Sequence, residues 1–280
     1  MDLFKNIFTF KNIGTRTIQE DDFLIFDFED IEKTRFNVVF IFDGHGAKNK
    51  DESLPEVIIR ENILINEIKR FFHKRKMSIT NLTSFFPYFE SYLDNKVKKY
   101  VGTCLSAVFM SPLYFFTLTL GDTSIRIFDS SNKLYFQTPL HNFKNKSEME
   151  RYITFKQDVF IKDGRYRGLL MSRTLGDYDC KTLGERCLIP IPEIKRFYNN
   201  RPFIFLLKSD GMTISSKILI NKYNDCTIDK FLKEKNFANN ASLVIFSSTH
   251  GLQKTDIDDV EENKNKNNVI LLSFLKYVYE

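Results

Sequence analysis

Apolar residues fall in short runs over the first forty positions, and the runs carry strand-forming side chains. Phe23 to Phe28 and Phe36 to Phe42 are rich in Phe, Ile and Val, with the polar turn EDIEKTR between them. After Asp43-Gly44-His45-Gly46 and a charged loop the period changes. Ser53 can cap a helix with Pro55 in its first turn, and Val57, Ile58, Ile65, Ile68 and Phe72 recur at helical spacing, which predicts a helix over 55–76. A second helix is predicted from Asn81 to Val97, with Leu82, Phe85, Phe86, Phe89, Leu93 and Val97 on one face; Pro87 allows a start near itself instead. Strand patterns return at Thr103 to Met110, Leu113 to Leu120, Ser124 to Phe128 and Leu134 to Gln137, with Ser111-Pro112 as a tight turn. They recur at Thr154 to Ile161, Phe203 to Lys208 and Ser242 to Ser247. Strands, two helices and strands again predict an α+β fold with helices covering antiparallel sheets. Asp256 to Asn268 is polar and predicted to be loose, and the apolar last dozen residues are expected to dock on the body. Residues 1–254 therefore read as one domain, with 255–280 as a loop and a segment packing on it.

Composition narrows the class. With 280 residues, 42% hydrophobic and 28% charged, the chain can bury a large core, which excludes collagen-like, low-complexity and fully disordered proteins. The 41 basic and 36 acidic residues are too evenly balanced for a nucleic-acid binder. The densest basic stretch, Lys69 to Lys76, reads as a solvated helix end. Cys104, Cys180, Cys187 and Cys226 are scattered, so neither a disulfide framework nor a zinc site is expected, and Cys104 reads as a small core residue. No run of 18 apolar residues exists, and Lys5 and Lys11 interrupt any signal core. The expectation is an intracellular protein, cytoplasmic or nuclear, monomeric, without membrane or nucleic-acid partners.

The chemistry is signalled by acids at strand ends. The apolar strand NVVFIF runs into Asp43, Phe115 to Leu120 into Gly121-Asp122, and Phe203 to Leu207 into Ser209-Asp210-Gly211. Glu20-Asp21 precedes another strand. Any one Asp is what a turn uses, but four such deliveries suggest one place. Carboxylates gathered together repel unless cations sit among them, and hard divalent ions, Mg²⁺ or Mn²⁺, prefer such oxygens. A bridged metal pair activates water for in-line attack on phosphorus. The glycines of DGHG are expected to let the backbone turn sharply after Asp43 and bring a carbonyl close to a ligand.

In order along the chain, the motifs resemble those of the metal-dependent Ser/Thr protein phosphatases of the protein phosphatase 2C (PPM) family. They are Gly14-Thr15-Arg16 with Glu20-Asp21, Phe42-Asp43-Gly44-His45-Gly46, Gly102-Thr103-Cys104 and Leu120-Gly121-Asp122-Thr123. Then come Met171-Ser172-Arg173-Thr174-Leu175-Gly176-Asp177, Pro190-Ile191-Pro192-Glu193-Ile194, Ser209-Asp210-Gly211 and Asn239-Asn240-Ala241-Ser242. The resemblance spans residues 14–247 and implies a two-sheet antiparallel β-sandwich flanked by helix pairs. It implies that Asp43 bridges two Mg²⁺ or Mn²⁺ ions, that Gly44 gives one of them a carbonyl oxygen, and that Glu20 supports that ion with Asp21 beside it. Asp210 would hold the first ion and Asp122 a weaker third. Arg16 would grip the substrate phosphate, a task suited to its forked donors, and His45 would protonate the leaving alkoxide.

The chain also departs from the family pattern. Asn239 stands where the family has an Asp ligand, so the first metal should bind more weakly. Asp210-Gly211-Met212-Thr213-Ile214 lacks a second carboxylate for the third metal, and Leu140 replaces the acid before His141. The stretch from Asp210 to Asn239 is short enough to lack a helix. The resemblance implies a phosphatase hydrolysing phosphoserine and phosphothreonine esters of a protein substrate with a metal-activated water. The alternatives are an impaired member of the same fold acting as a binding scaffold, and a two-metal hydrolase of another phosphate ester.

Overall fold

The computed structural model describes residues 3–48, 52–154, 161–162, 164–181 and 188–248. The chain opens with three strands, β1 (Phe4–Asn12), β2 (Asp22–Glu29) and β3 (Arg35–His45). Helices α1 (Leu54–Arg60), α2 (Ile63–Phe72) and α3 (Ile79–Leu93) follow, then strands β4 (Gly102–Met110), β5 (Tyr114–Leu120), β6 (Ser124–Asp129) and β7 (Leu134–Gln137). A smaller region holds α4 (Lys146–Thr154), β8 (Ile161–Lys162), β9 (Arg165–Tyr166), β10 (Leu175–Gly176) and α5 (Tyr178–Lys181). The last part is β11 (Glu193–Tyr198), β12 (Phe203–Lys208), α6 (Ser216–Asn224), α7 (Ile228–Lys233) and β13 (Ala241–Ser248).

Two antiparallel sheets result. One runs β1-β13-β12-β6-β7; the other runs β11-β5-β4-β3-β2, with β10 paired to β4, and β8–β9 form a separate hairpin. Alternating side chains sort the core into layers. Val39, Ile41, Val108, Phe115, Ile125, Phe205, Val244 and Phe246 fill the space between the sheets. Phe40, Phe42, Leu105 and Phe109 point the other way, onto Leu64, Ile68, Phe72, Leu82, Phe85 and Phe89 of the first helices. Leu206, Leu243 and Ile245 pack outward against Leu219, Ile220, Ile228 and Leu232 of α6 and α7. This is the expected α+β sandwich with helices on both outer faces.

The departures from expectation have local causes. The helix expected over 55–76 is two helices, broken where Asn62 takes a left-handed φ of 53°. Its start is as predicted: the Ser53 hydroxyl accepts from the Glu56 amide at 3.3 Å, with Pro55 in the first turn. The next helix starts at Ile79, capped by Ser78 rather than near Asn81 or Pro87, and ends at Leu93, short of Val97. Pro87 lies inside it without ending it. The stretch from Asp210 to Asn239 carries two short helices. Of the strand expected over Thr154 to Ile161, residues 155–160 lie outside the described residues; Thr154 closes α4 and Ile161 opens β8. Everything expected beyond Ser248 also lies outside them, including the boundary at residue 254. Cys104 is fully buried, as a core residue should be. Among the described residues no helix is long and apolar enough to cross a membrane.

Candidate active site

Alternation along β3 decides where Asp43 points. Val39 and Ile41 face the other sheet, so Asp43, two residues further, faces the rim of that same space. The backbone does not turn sharply after it. The strand runs on, pairing Asp43 with Cys104, Gly44 with Thr103 and His45 with Gly102, and Gly46 takes the positive φ of 90°. Gly44 is required by close approach instead, because a Cβ there would collide with the Glu20 carbonyl oxygen.

The other acids reach this rim by separate routes. Glu20 and Asp21 lie on the connection from β1 to β2, which crosses from one sheet to the other. Asn240 clamps that crossing: its amide donates to the carbonyls of Ile13 and Ile18 at 2.9 and 3.0 Å and accepts from the Glu20 amide at 3.0 Å. Asp122 sits on the β5–β6 turn, where the chain crosses back. His141 holds that turn, donating its backbone amide to the Gly121 carbonyl at 2.8 Å and accepting from the Gly121 amide at Nδ1, 3.3 Å away. Asp210 follows β12, and its amide donates to Asp43 Oδ2 at 3.0 Å.

The charges at the rim are crowded. Burial, aided by the charges of Asp21, Asp210 and Asp122, holds the Asp43 carboxyl well above the usual range. Burial, with Asp210 and Glu20 nearby, pushes Asp21 up to about 7, against hydrogen bonds from Ser209 and Ser242. Asp122 is raised by burial and by Asp210, and Glu20 by burial against the Ala47 amide, which donates to its Oε1 at 2.8 Å. Oδ1 of Asp21 and Oδ1 of Asp122 are buried without a hydrogen-bond partner. Orphaned carboxylate oxygens beside mutually repelling acids are a donor set suited to a hard divalent cation. Among the described residues no three such side chains close into a ready-made cage. Mg²⁺ does not need one, because it keeps several waters and takes one or two carboxylates.

His45 and Arg16 flank the acids. His45 Nε2 lies 2.9 Å from both carboxylate oxygens of Asp177. Burial alone would lower its pKa, but the Asp177 charge and hydrogen bond more than reverse this and raise it. Asp177 closes the Met171–Asp177 motif, 132 positions from His45. It adopts a left-handed φ of 52°, which Asp tolerates better than most residues. The turn is fixed by Glu90 of α3, whose carboxylate accepts from the Gly176 amide at 3.0 Å and whose carbonyl accepts from the Tyr178 hydroxyl at 2.6 Å. Arg16 is exposed, and its Nε donates to Asn239 Oδ1 at 2.6 Å. Asn239 also stands against Gly211, next to Asp210. Asp177, Asn240, Ser209 and Ser242 each lie inside one of the motifs, but their local sequence carries no sign of the contacts they make across the fold.

The profile of the family PP2C, protein phosphatase 2C, matches residues 12–213. No curated protein matches the chain significantly. Among solved structures, a C. elegans sex-determining protein is similar over 90% of this chain and 66% of its own, with TM-score 0.68 and 17% identity. The chain thus spans just under two thirds of that protein. A phosphatase from a pathogenic strain of Toxoplasma gondii matches over 88% of this chain and 93% of its own, with TM-score 0.66 and 14% identity. The catalytic domain of the serine/threonine phosphatase PstP, in complex with two manganese ions, matches over 89% and 99%, with TM-score 0.54 and 13% identity. At such identities these likenesses show a common fold. With the family profile matched over most of its length, on a sandwich of the same build, the chain belongs to the protein phosphatase 2C family.

Proposed function

We propose that this protein is a metal-dependent phosphatase acting on phosphoserine and phosphothreonine in protein substrates, as a monomer. The observation that carries the reading is the meeting of Glu20, Asp21, Asp43, Asp122 and Asp210 with His45 and Arg16 at one rim. Asp43, Asp210, Glu20 and the Gly44 carbonyl would hold two Mg²⁺ or Mn²⁺ ions, with Asp21 beside them and Asp122 serving a weaker third. Bound there, the ions supply charge for the phosphoryl oxygens and activation of the attacking water. Arg16 binds and orients the phosphate through its forked donors. Asp177 holds the His45 ring through Nε2, and His45 protonates the departing alkoxide. Asn239 contributes a neutral amide where a carboxylate would add charge, and its contact with Arg16 sets the arginine beside the metal ligands.

A second reading, a scaffold of the same fold with little turnover, is favoured by one specific feature. Met212 is wholly buried under α6 and Ile214 packs against the same core, so the segment after Asp210 offers no second acid. Phosphate release from a phosphothreonine peptide in millimolar Mn²⁺, then in EDTA, separates the readings. Metal-dependent release is expected. Release that survives EDTA removes the two-metal mechanism, and silence under every metal leaves the scaffold.

A further inference from the structure

A cleft of about 360 Å³ opens beside the acid rim, and Asp122 and Asp210 are among the residues that line it. Its floor is made by three adjacent strands. Arg126 of β6 pairs in register with Gln137 of β7, and Ser124 with Lys208 of β12. Arg126 and Lys208 therefore stand on the same outward face, where β6 and β12 meet. Asn142 and Lys144, from the segment after β7, also line the cleft.

The floor concentrates positive charge that the described residues leave unneutralised. Arg126, Lys144 and Lys208 form no ion pair with any described carboxylate. Lys208 Nζ donates to the Met212 carbonyl at 2.7 Å and, more weakly, to the Ile214 carbonyl at 3.5 Å. Arg126 donates one guanidinium nitrogen to the Ser216 hydroxyl, while its Nε is buried without a partner. A buried guanidinium donor without an acceptor is costly, and Arg126 and Lys208 repel each other while neither pairs with the two carboxylates of the cleft. Gln137, Ser124 and Asn142 add neutral donors around them. Such a lining matches an oxyanion, with Arg126 offering planar forked geometry.

Resting on the phosphatase reading, we infer that this cleft seats a second anionic group of the phosphoprotein substrate. That group is an acidic side chain or another phosphate near the residue being dephosphorylated. The cleft shares Asp122 and Asp210 with the reaction site but none of its phosphate-gripping or proton-donating residues, so it selects substrates without taking part in the chemistry.

The test is equilibrium binding of fluorescent phosphothreonine peptides to the full chain in Mn²⁺ and in EDTA. One series carries a single Glu at each of three positions on either side, a second carries phosphoserine there, and a third is neutral. The best acidic or doubly phosphorylated peptide is expected to bind about tenfold tighter than the neutral one, the scale of one charge-assisted hydrogen bond. Whichever series gains more identifies the anion. The preference should shrink in Lys144→Ala, an exposed position, and vanish in Arg126→Gln with Lys144→Ala. Turnover of para-nitrophenyl phosphate, too small to reach the cleft, should be unchanged in both variants, which also shows that they fold. Equal binding of all three series, or a preference that survives the double substitution, overturns the inference. Absence of turnover by wild type with the preference intact overturns the phosphatase reading alone.

Discussion

Two regions of this molecule bury carboxylates in opposite ways. Glu148 of α4 is 1% exposed, but it is surrounded by cations. Arg173 reaches it with Nε and Nη2 at 3.1 and 2.6 Å, Arg151 at 3.2 Å, and the Ser172 hydroxyl donates at 2.6 Å. Burial would raise its pKa, yet the arginines reverse this and hold it far below the ordinary range. At the rim, burial acts in the same direction on Asp21, Asp43 and Asp122, and their nearest charges are other acids, so all three are raised. The fold neutralises one set with arginines and leaves the other to protons or an external cation. Burial is common to both regions; the partners alone separate a structural acid from a candidate ligand.

That contrast can be broken by substitution. The largest effect is expected from Glu148→Ala, which takes the carboxylate from the buried Arg173 guanidinium. Loss of one partner of a buried pair costs about 3–5 kcal/mol, read by urea denaturation. A loss below about 1 kcal/mol would mean that the pairs are dispensable. The linked pH effect has a definite sign. The folded pKa of Glu148 lies below its unfolded value, so its stabilisation is complete above the ordinary glutamate pKa of 4.5. It is lost as pH falls from there toward the depressed folded value. Wild type should therefore lose stability in acid more steeply than Glu148→Gln.

The rim should respond in the opposite sense. Asp43→Asn is expected to cut turnover by at least about 10²-fold, as loss of a main electrostatic element does. The melting temperature in EDTA should hold or rise, because repulsion is relieved. A fall in metal-free stability like that of Glu148→Ala would make Asp43 a structural acid after all.

Asp177→Asn sharpens the role of His45. A general acid matters most when the leaving group is poor. Turnover should drop about 10- to 100-fold on a phosphothreonine peptide, and much less on para-nitrophenyl phosphate, whose leaving group needs little protonation. Equal losses on both substrates would assign Asp177 to packing.

The smallest change is expected from Asn239→Asp. A carboxylate at ligand distance should lower the Mn²⁺ concentration for half-maximal turnover about tenfold, equivalent to about 1.4 kcal/mol. If the metal dependence stays fixed while KM for phosphopeptide moves, the new charge acts on Arg16 rather than on a metal.

Much of this was legible in one dimension. The β3 run ending in Asp43 announced a buried strand delivering an acid, since alternation and burial act locally. Ser53 and Pro55 announced the start of α1 for the same reason. The break at Asn62 was not legible, because helical spacing continues across it and only a backbone dihedral interrupts it. The Glu148 pairs were equally hidden, because Arg173 and Glu148 are 25 positions apart and neither type is informative alone.

The sequence by itself determined the kinds of group available and their order: acids after apolar strands, a histidine two positions past Asp43, an arginine before Glu20. Tertiary structure decided which of them meet. Two sheets packed face to face bring the β1–β2 and β5–β6 crossings and the ends of β3 and β12 to one rim. Acids up to 190 positions apart, from Glu20 to Asp210, thus come to share one field. It also decided that Asp177 holds His45 and that Asn239 holds Arg16. The reason is physical: side-chain type and local periodicity are properties of a segment, whereas desolvation and charge pairing depend on what lies across space.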